Sequence, residues 1–166
     1  MSTGILNNAS ISIRKGSLND LPAMQQLFAD TIQVICKNDY NDLQRNAWSA
    51  GADNEERWMN VIKGQYVLIA EAENQIVGFS TLDQETYIDL LFVHKDHQHQ
   101  GIASLLYAKM EEEEALRHGQ KQLTADVSKT ARPFFEKSGF RILKEQTVNV
   151  KGIDLINYKM IKNLMP

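Results

Sequence analysis

The sequence has little of what marks a disulfide-stapled, membrane-spanning or nucleic-acid-binding protein. Cys36 is its only cysteine, which excludes an internal disulfide and a multi-cysteine zinc or iron–sulfur site. No stretch approaches the ~20 apolar residues that a membrane helix needs, and no basic N-terminal segment precedes an apolar run. The net charge of −3 provides neither a strongly basic surface nor a polyacidic tail. We therefore expect no nucleic-acid partner, no membrane association and a cytoplasmic location.

Interruptions of the chain are also scarce. The 166 residues contain three prolines, and they show no internal repeat and no low-complexity linker. The apolar share of 43% is enough to build a core without metal or disulfide staples. We therefore predict one domain over residues 1–166, and the sequence does not distinguish a monomer from a homodimer.

The first part of the chain predicts one strand and three helices. Ile11 and Ile13 alternate with polar neighbours, as in a short strand. Apolar residues then recur every three or four positions over residues 21–35, which places them on one face of a helix. Two shorter helices begin near Asn41 and within residues 53–56, where acidic and amide side chains favour a helix start.

The remaining part predicts a strand-rich region with two helices. Residues 66–71 and 76–82 read as two strands joined by a connection of hairpin length. Residues 87–94 form a nearly continuous apolar run, as expected of a central strand buried on both faces. The further elements are a helix from 102 towards 119, a strand at 123–127, a helix at 130–138, and a terminal hairpin of 146–150 and 153–160.

The segment between the central strand and the following helix is the part of the sequence that most clearly indicates a ligand site. Its residues are Gln98, His99, Gln100, Gly101, Ile102 and Ala103. A helix start leaves about four backbone N–H groups without intrahelical partners and carries roughly half a positive charge, so a pyrophosphate fits there. An ordinary strand-to-helix turn would also contain such a glycine. The glycine patterns of the Rossmann fingerprint and the P-loop are both absent.

This segment resembles the signature Gln/Arg-x-x-Gly-x-Gly/Ala of the GNAT superfamily of N-acetyltransferases. Gln98, Gly101 and Ala103 match that signature. Residues 131–140 are similar to the family's next helix and its terminal Gly-Phe, so the resemblance covers residues 11–161. It implies a single-domain α/β (α+β) fold with a mixed, mostly antiparallel twisted sheet of about seven strands, flanked by four to five helices.

The resemblance implies acetyl-CoA as the co-substrate, held largely by backbone groups. It places the pantetheine beside Leu91, Phe92 and Val93, the pyrophosphate at residues 98–104, and Phe134 among the contacts. The pyrophosphate contacts would be Gln98, His99, Gln100, Gly101, Ile102, Ala103 and Ser104. The implied activity is acetyl transfer to a primary amine of a small molecule or peptide, by direct attack through a tetrahedral intermediate.

Amine acetylation requires a proton acceptor, because an amine with a pKa near ~10 is mostly protonated at neutral pH. Asp89 interrupts the central strand where some members of the family carry a glutamate base, and it is the first candidate. The alternative is an aspartate hydrogen-bonded structurally at a strand kink. Glu85, just before the same strand, is the second candidate.

The proton donor to the leaving thiolate stays unassigned. Phe135 stands where many members of the family carry a tyrosine acid, which raises the alternative of a CoA-binding module with little or no transferase activity. A thiol of pKa ~8.5 leaves without help far more easily than an alkoxide does. Ser128 is a weak candidate for the donor, as are Tyr107 and Tyr158. A backbone N–H of Phe92 or Val93 is the expected oxyanion donor.

The family's acceptor pocket is usually walled by the segment that here contains Tyr40, Trp48 and Trp58. These aromatic residues can hold an aromatic or cationic amine, although either tryptophan can instead pack the helices together. The three histidines at positions 94–99 share the phosphate loop and lack an accompanying carboxylate–cysteine cluster. We therefore predict no metal site.

Overall fold

The structure is a computed structural model that describes residues 10–164. Within that range a seven-stranded sheet is flanked by five α-helices, which confirms the predicted fold class. The elements are β1 (Ile11–Lys15), α1 (Leu21–Ile35), α2 (Asp42–Ser49), α3 (Glu55–Gly64), β2 (Tyr66–Ala72), β3 (Gln75–Asp83), β4 (Tyr87–Val93), α4 (Ile102–Met110), β5 (Gln122–Ser128), α5 (Arg132–Lys137), β6 (Arg141–Val150) and β7 (Ile153–Asn163). None of the helices in the described range is long and apolar enough to cross a bilayer.

The strands follow the order β1-β2-β3-β4-β5-β7-β6. Among them only β4 and β5 run parallel, so the sheet is mixed and mostly antiparallel, as predicted. The β2–β3 hairpin turns on Glu73 and Asn74, both with positive φ, and its connection is two residues shorter than predicted. The terminal hairpin turns at the predicted Lys151 and Gly152, but its strands are longer than predicted.

The sheet opens between β4 and β5. These strands pair only through Tyr87 with Thr124 and Ile88 with Ala125, and then separate. On its other side β4 pairs with β3 through a bulge, at which Asp89 is the extra residue. A bulge bends and twists a strand, so β4 turns away from β5 at the residue where their pairing ends.

Helices cover both faces of the sheet. On one face α4 and α5 pack on a cluster that includes Ile102, Leu106 and Phe135. On the other face α1 and α3 pack on a second cluster. The buried residues of α1 follow the predicted spacing of three and four; they are Leu21, Met24, Leu27, Phe28, Thr31 and Ile32. Both clusters include a residue of β4, Ile88 in the first and Leu90 in the second.

A charged contact fixes the start of α1. The carboxylate of Asp20 accepts a hydrogen bond from the Ser17 backbone N–H at 2.7 Å and two from the Arg14 guanidinium at 2.8 Å. The hydrogen bonds from Arg14 lower the pKa of Asp20. Since Arg14 belongs to β1, this contact ties the helix that lines one side of the gap to the sheet.

Candidate active site

A cavity of about 860 Å³ occupies the gap between β4 and β5. Its glycine-turn wall consists of His97, Gln98, His99, Gly101, Ile102, Ala103, Ser104 and Phe134. Its aromatic wall consists of Phe28, Tyr40, Trp48, Arg57, Tyr87, Asp89 and Asp126. The β4 residues Leu91, Phe92 and Val93 line the space between the two walls. The predicted cofactor and acceptor segments therefore meet in one cavity.

The glycine turn has the geometry of an anion site. Gly101 caps α4 with φ 80° and ψ 8°, a left-handed conformation that favours glycine, and a Cβ placed there would meet no atom within 4 Å. The backbone N–H of Leu105 bonds to the Gly101 carbonyl at 3.0 Å. The N–H groups of the preceding three residues lie before this first helical bond and point out of the helix start. These donors and the open glycine fit a pyrophosphate.

The side chain of Gln98 shapes this turn from within. Its Nε2 donates to the carbonyl of Val93 at 2.7 Å and to that of His94 at 3.3 Å. The hydroxyl of Thr31 donates to the same Val93 carbonyl at 3.0 Å. Gln98 thus braces the loop against β4, whereas Gln100, also predicted as a contact, is not among the residues that line the cavity.

Alternate backbone groups of β4 face the gap. The N–H of Leu90 donates to the hydroxyl of Thr81 and that of His94 to the carbonyl of Val77, so both point towards β3. Because backbone groups alternate along a strand, the N–H groups of Leu91 and Val93 point the other way, into the gap. Of the two predicted oxyanion donors, Val93 has the required direction. Phe92 does not, because its backbone faces β3.

Asp89 lines the cavity but is held by hydrogen bonds. Its carboxylate accepts from Arg57 at 2.8 and 3.1 Å and from Gln65 at 2.8 Å, and its side chain is 13% exposed. Hydrogen bonding to this carboxylate raises the pKa of Arg57. Asp89 therefore fits both predictions from the sequence. It lines the cavity at the mouth of the gap, which is the point where β4 and β5 separate, and it is hydrogen-bonded at a strand kink.

A second carboxylate, Asp126 of β5, also lines the cavity. It accepts a hydrogen bond from the Tyr87 hydroxyl at 2.8 Å and one from Gln146 at 2.8 Å, and the ammonium of Lys159 lies 3.7 Å away. Burial, followed by the hydrogen bond to Asp126, raises the pKa of Tyr87, so its phenol stays protonated and continues to donate.

Sequence reasoning missed Asp126, although a signal for it was present. The strand alternates buried Leu123, Ala125 and Val127 with residues that face the opposite side. Asp126 and Ser128 share that opposite face, because side chains of a strand alternate with a period of two. Once Ser128 is a candidate, the same alternation places Asp126 beside it.

Two of the three predicted acceptor-side aromatics line the cavity. Tyr40 and Trp48 pack edge-to-face at 5.5 Å, and the Tyr40 hydroxyl donates to the Ile156 carbonyl at 2.6 Å. The prediction for Trp58 is corrected. Its side chain is 2% exposed, packs against Phe28, and donates from Nε1 to a backbone carbonyl. Trp58 therefore packs α3 onto the core.

Glu85, the second candidate for the base, lies outside the cavity, so this prediction is also corrected. Its carboxylate accepts from Gln120 at 3.0 Å and lies 3.7 Å from His118, beyond the end of α4. Potential ligand atoms of Glu85, Glu114 and His118 lie within 4.8 Å of one another, away from both walls. In the described range the three loop histidines form no such group.

Among the candidates for the thiolate's proton donor, Ser128 lines the cavity. Its hydroxyl accepts from a backbone N–H three residues later at 3.0 Å. The hydroxyl of Tyr107 donates to Glu111 and accepts from Lys162 at 2.9 Å, and neither Tyr107 nor Tyr158 is among the lining residues. Of the three predicted donors, Ser128 is therefore the one that lines the cavity.

Comparison with known proteins identifies the family. The acetyltransferase (GNAT) domain matches residues 36–162. The uncharacterised N-acetyltransferase YafP of Escherichia coli K12 is 32% identical over 155 residues, which cover 93% of this chain and 96% of that protein. A crystal structure of a GCN5-related N-acetyltransferase from Rhodopseudomonas palustris superposes with a TM-score of 0.89, at 31% identity over 93% of this chain and 96% of the other.

A more distant relative of the same fold has been solved with a ligand. The PaiA N-acetyltransferase of Thermoplasma acidophilum, in complex with coenzyme A, has a TM-score of 0.75 at 20% identity over 93% of this chain and 99% of the other. The matched domain includes the gap between β4 and β5, the glycine turn and the whole of α4. The chain therefore belongs to the GNAT family of acetyltransferases, and it is an acyltransferase.

Proposed function

We propose that the protein transfers the acetyl group of acetyl-CoA to a primary amine of a small molecule or peptide by direct attack. One observation carries the proposal. The N-terminal end of α4 and the gap-facing N–H groups of Leu91 and Val93 border one cavity, which continues to the aromatic wall. A bound donor and an acceptor can therefore meet without an intermediate carried on the protein.

The glycine-turn wall is the proposed site of the donor. The backbone N–H groups at the start of α4 would hold the pyrophosphate, and those of Leu91 and Val93 would pair with the amide-bearing pantetheine arm. Acetyl-CoA supplies a thioester carbonyl activated for attack by an amine. The complex of the Thermoplasma acidophilum relative with coenzyme A supports this choice of ligand.

The aromatic wall is the proposed site of the amine. Tyr40 and Trp48 give it an apolar surface, and the carboxylate of Asp126 attracts an ammonium group to the open end of the gap. The sequence predicts Asp89 as the base, but Arg57 and Gln65 already use most of its lone pairs. The N–H of Val93 is placed to stabilise the oxyanion.

A second candidate function is a CoA-binding module without transferase activity, and Phe135 favours it. This residue is 5% exposed and lines the cavity where many members of the family carry a tyrosine acid. The transferase proposal does not need that tyrosine, because a thiolate with a conjugate-acid pKa of ~8.5 leaves readily. Proton donation by a side chain is typically worth about 10²–10⁴-fold in rate, so turnover would be slow rather than absent.

One experiment separates the two functions. Acetyl-CoA is incubated with the protein and a panel of aliphatic, aromatic and peptidyl primary amines, and free thiol is measured together with the acetylated product. Amine-dependent thiol release with a matching acetylated product supports the transferase. A rise in thermal stability with CoA, without thiol release from any amine, supports the module instead.

A further inference from the structure

Two carboxylates stand where the sheet opens. Asp89 follows Ile88 on β4 and Asp126 follows Ala125 on β5, and Ile88 and Ala125 are the last residues that pair between the two strands. Each aspartate is thus the first residue beyond the pairing on its own strand. The Tyr87 hydroxyl crosses from β4 to the Asp126 carboxylate at this point.

The two carboxylates differ in how much of their accepting capacity is used. A carboxylate offers about four lone-pair positions. Asp89 accepts three hydrogen bonds, two of them from Arg57, whose charge balances its own. Asp126 accepts two, both from neutral donors, Tyr87 and Gln146.

The two aspartate side chains also differ in their exposure to solvent, and Asp126 is the more exposed of the two. The Asp126 side chain is 33% exposed and that of Asp89 is 13% exposed. The ammonium of Lys159 stays 3.7 Å from Asp126, farther than the 2.8 Å between Arg57 and Asp89. An incoming amine therefore finds free lone pairs and accessible surface on Asp126, and a closed ion pair on Asp89.

We propose that Asp126 takes the proton from the acceptor amine, and that Tyr87 and Gln146 are positioning residues that hold its carboxylate towards the gap. This assignment rests on the proposed function and deepens it, by transferring the role of base from the strand where the sequence placed it to the neighbouring strand. The Asp89–Arg57 ion pair then forms the fixed opposite side of the mouth.

The proton balance is complete without a further reactant. The substrate ammonium gives one proton to the Asp126 carboxylate, and the freed lone pair of nitrogen forms a bond to the thioester carbon. The carbon–sulfur bond breaks, and its electron pair leaves on sulfur. The thiolate takes a proton from solvent, the new amide nitrogen loses its second proton to water, and Asp126 returns its own proton to solvent.

The charged and titratable groups that face Asp126 come from two neighbouring strands. Tyr87 contributes a neutral phenol from β4, and Lys159 contributes an ammonium from β7. Across the mouth, Asp89 and Arg57 form a pair without net charge. A base must be ionised to accept the proton of the amine, so the proposal predicts that the rate falls at low pH.

The test compares Asp126→Asn with Asp89→Asn, using the pH dependence of kcat/KM for acetyl-CoA and the best amine of the panel. Asp126→Asn should lose about 100-fold in kcat near neutral pH, keep the KM for acetyl-CoA, and lose the fall in rate at low pH. Asp89→Asn should keep that fall. Asp154→Asn, on the exposed terminal hairpin, is the matched control and should behave as wild type.

Two further variants keep the test decisive if Asp126→Asn does not fold. Asp126→Glu keeps a carboxylate, so it should retain the fall in rate at low pH at a reduced kcat. Tyr87→Phe removes the hydrogen bond, and it should move the midpoint of that fall and lower kcat, with the KM for acetyl-CoA unchanged. Far-UV circular dichroism and thermal unfolding establish that each variant is folded.

The outcomes that overturn the assignment differ from those that overturn the proposed function. A wild-type pH profile in folded Asp126→Asn, or loss of the low-pH fall in Asp89→Asn, returns the role of base to Asp89. If Asp126→Asn is unfolded, an unshifted profile in Tyr87→Phe overturns the assignment. Absence of thiol release by the wild type with every amine rejects the transferase itself, and the assignment with it.

Discussion

The two walls of the cavity are built in different ways. The glycine-turn wall comes almost entirely from one continuous segment, residues 97–104, and presents backbone N–H groups at a helix start. The aromatic wall collects side chains from α1, α2, α3, β4 and β5 and from the loop between α1 and α2. A wall of backbone groups from one segment is set by local conformation. A wall of side chains depends on how distant elements pack.

This difference implies that the two walls tolerate change differently. A substitution at the glycine turn would alter the proposed donor contact directly, whereas one on the aromatic wall would change the shape and charge of a surface that several helices share. We therefore expect variants of the first wall to act on donor affinity, and variants of the second to act on the acceptor or on stability.

The largest effect is expected from Gly101→Trp. The indole would project into the open space at the start of α4, and a non-glycine residue at φ 80° adds backbone strain of about 1–2 kcal/mol. We expect at least a 100-fold loss of acetyl-CoA affinity by isothermal titration calorimetry. Gly119→Trp is the matched control, since Gly119 also has positive φ and open space but lies outside the cavity. Unchanged affinity in folded Gly101→Trp would reject the phosphate site.

Trp48→Ala tests the aromatic wall. Removing the indole takes away the edge-to-face partner of Tyr40 and part of the apolar surface of the cavity. The KM for the amine should rise about tenfold, and the acetyl-CoA affinity should stay unchanged. Leu43→Ala, an exposed position on the same helix, should change neither value. Equal losses for both substrates in Trp48→Ala would show that the two walls are not separable.

Asp20→Asn tests how α1, which carries part of the aromatic wall, is held to the sheet. The lowered pKa of Asp20 means that its stabilisation is fully present above its unfolded value of about 3.9 and is lost as pH falls through the folded value. The variant should lose about 1–2 kcal/mol of unfolding free energy at pH 7, because the half-exposed Arg14 is partly screened by solvent.

The pH dependence of the unfolding free energy tests whether Asp20 stabilises the fold through its ionised carboxylate. In urea unfolding, the difference between wild type and Asp20→Asn should shrink as the pH is lowered from 5 towards 2 and should be constant between pH 6 and 8. A difference that grows on acidification would mean that the Arg14 contact does not act through the ionised carboxylate. The affinity for acetyl-CoA at pH 7 should be the same in both proteins.

Ser128→Ala should have the smallest effect. The hydroxyl accepts one backbone hydrogen bond before α5, so its loss should cost about 1 kcal/mol of stability. If Ser128 only caps this turn, kcat should stay within about twofold of wild type. A loss of kcat by a factor of about 100 or more, in the range of general-acid catalysis, would instead identify Ser128 as the donor that replaces the missing tyrosine.

The sequence predicted the glycine-turn wall in detail because its determinants are neighbours along the chain. Gly101 and Ala103 lie between an apolar strand and an amphipathic helix, and together with Gln98 they match the family signature. The mixed, mostly antiparallel character of the sheet followed from the family resemblance. Most of the predicted contacts on this wall line the cavity, and Gln100 is the exception.

The aromatic wall was less predictable because its decisive contacts join distant residues. Arg57 and Asp89 are 32 positions apart, and Tyr87 and Asp126 are 39 apart. An aspartate in an apolar strand has the same appearance whether it is a base or an ion-pair partner, so the sequence left both alternatives open for Asp89. Hydrophobic periodicity cannot report such pairs.

Trp58 shows a different reason for error. A tryptophan in an amphipathic helix can face a pocket or the core, and the residue type does not decide between them. The spacing does: Trp58 and Val61 are three positions apart, and both are buried on the same face of α3. An aromatic residue that shares a helical face with aliphatic residues is better read as core.

The parting of β4 and β5 gives a central strand a free edge inside the sheet. Exposed edges recruit other chains, but this one is enclosed by α1 and the glycine turn. A ligand with spaced amide groups can complete the ladder there as an added strand, and its recognition then depends on main-chain atoms of Leu91 and Val93. Substitutions at these two positions that preserve the strand should therefore leave donor recognition intact.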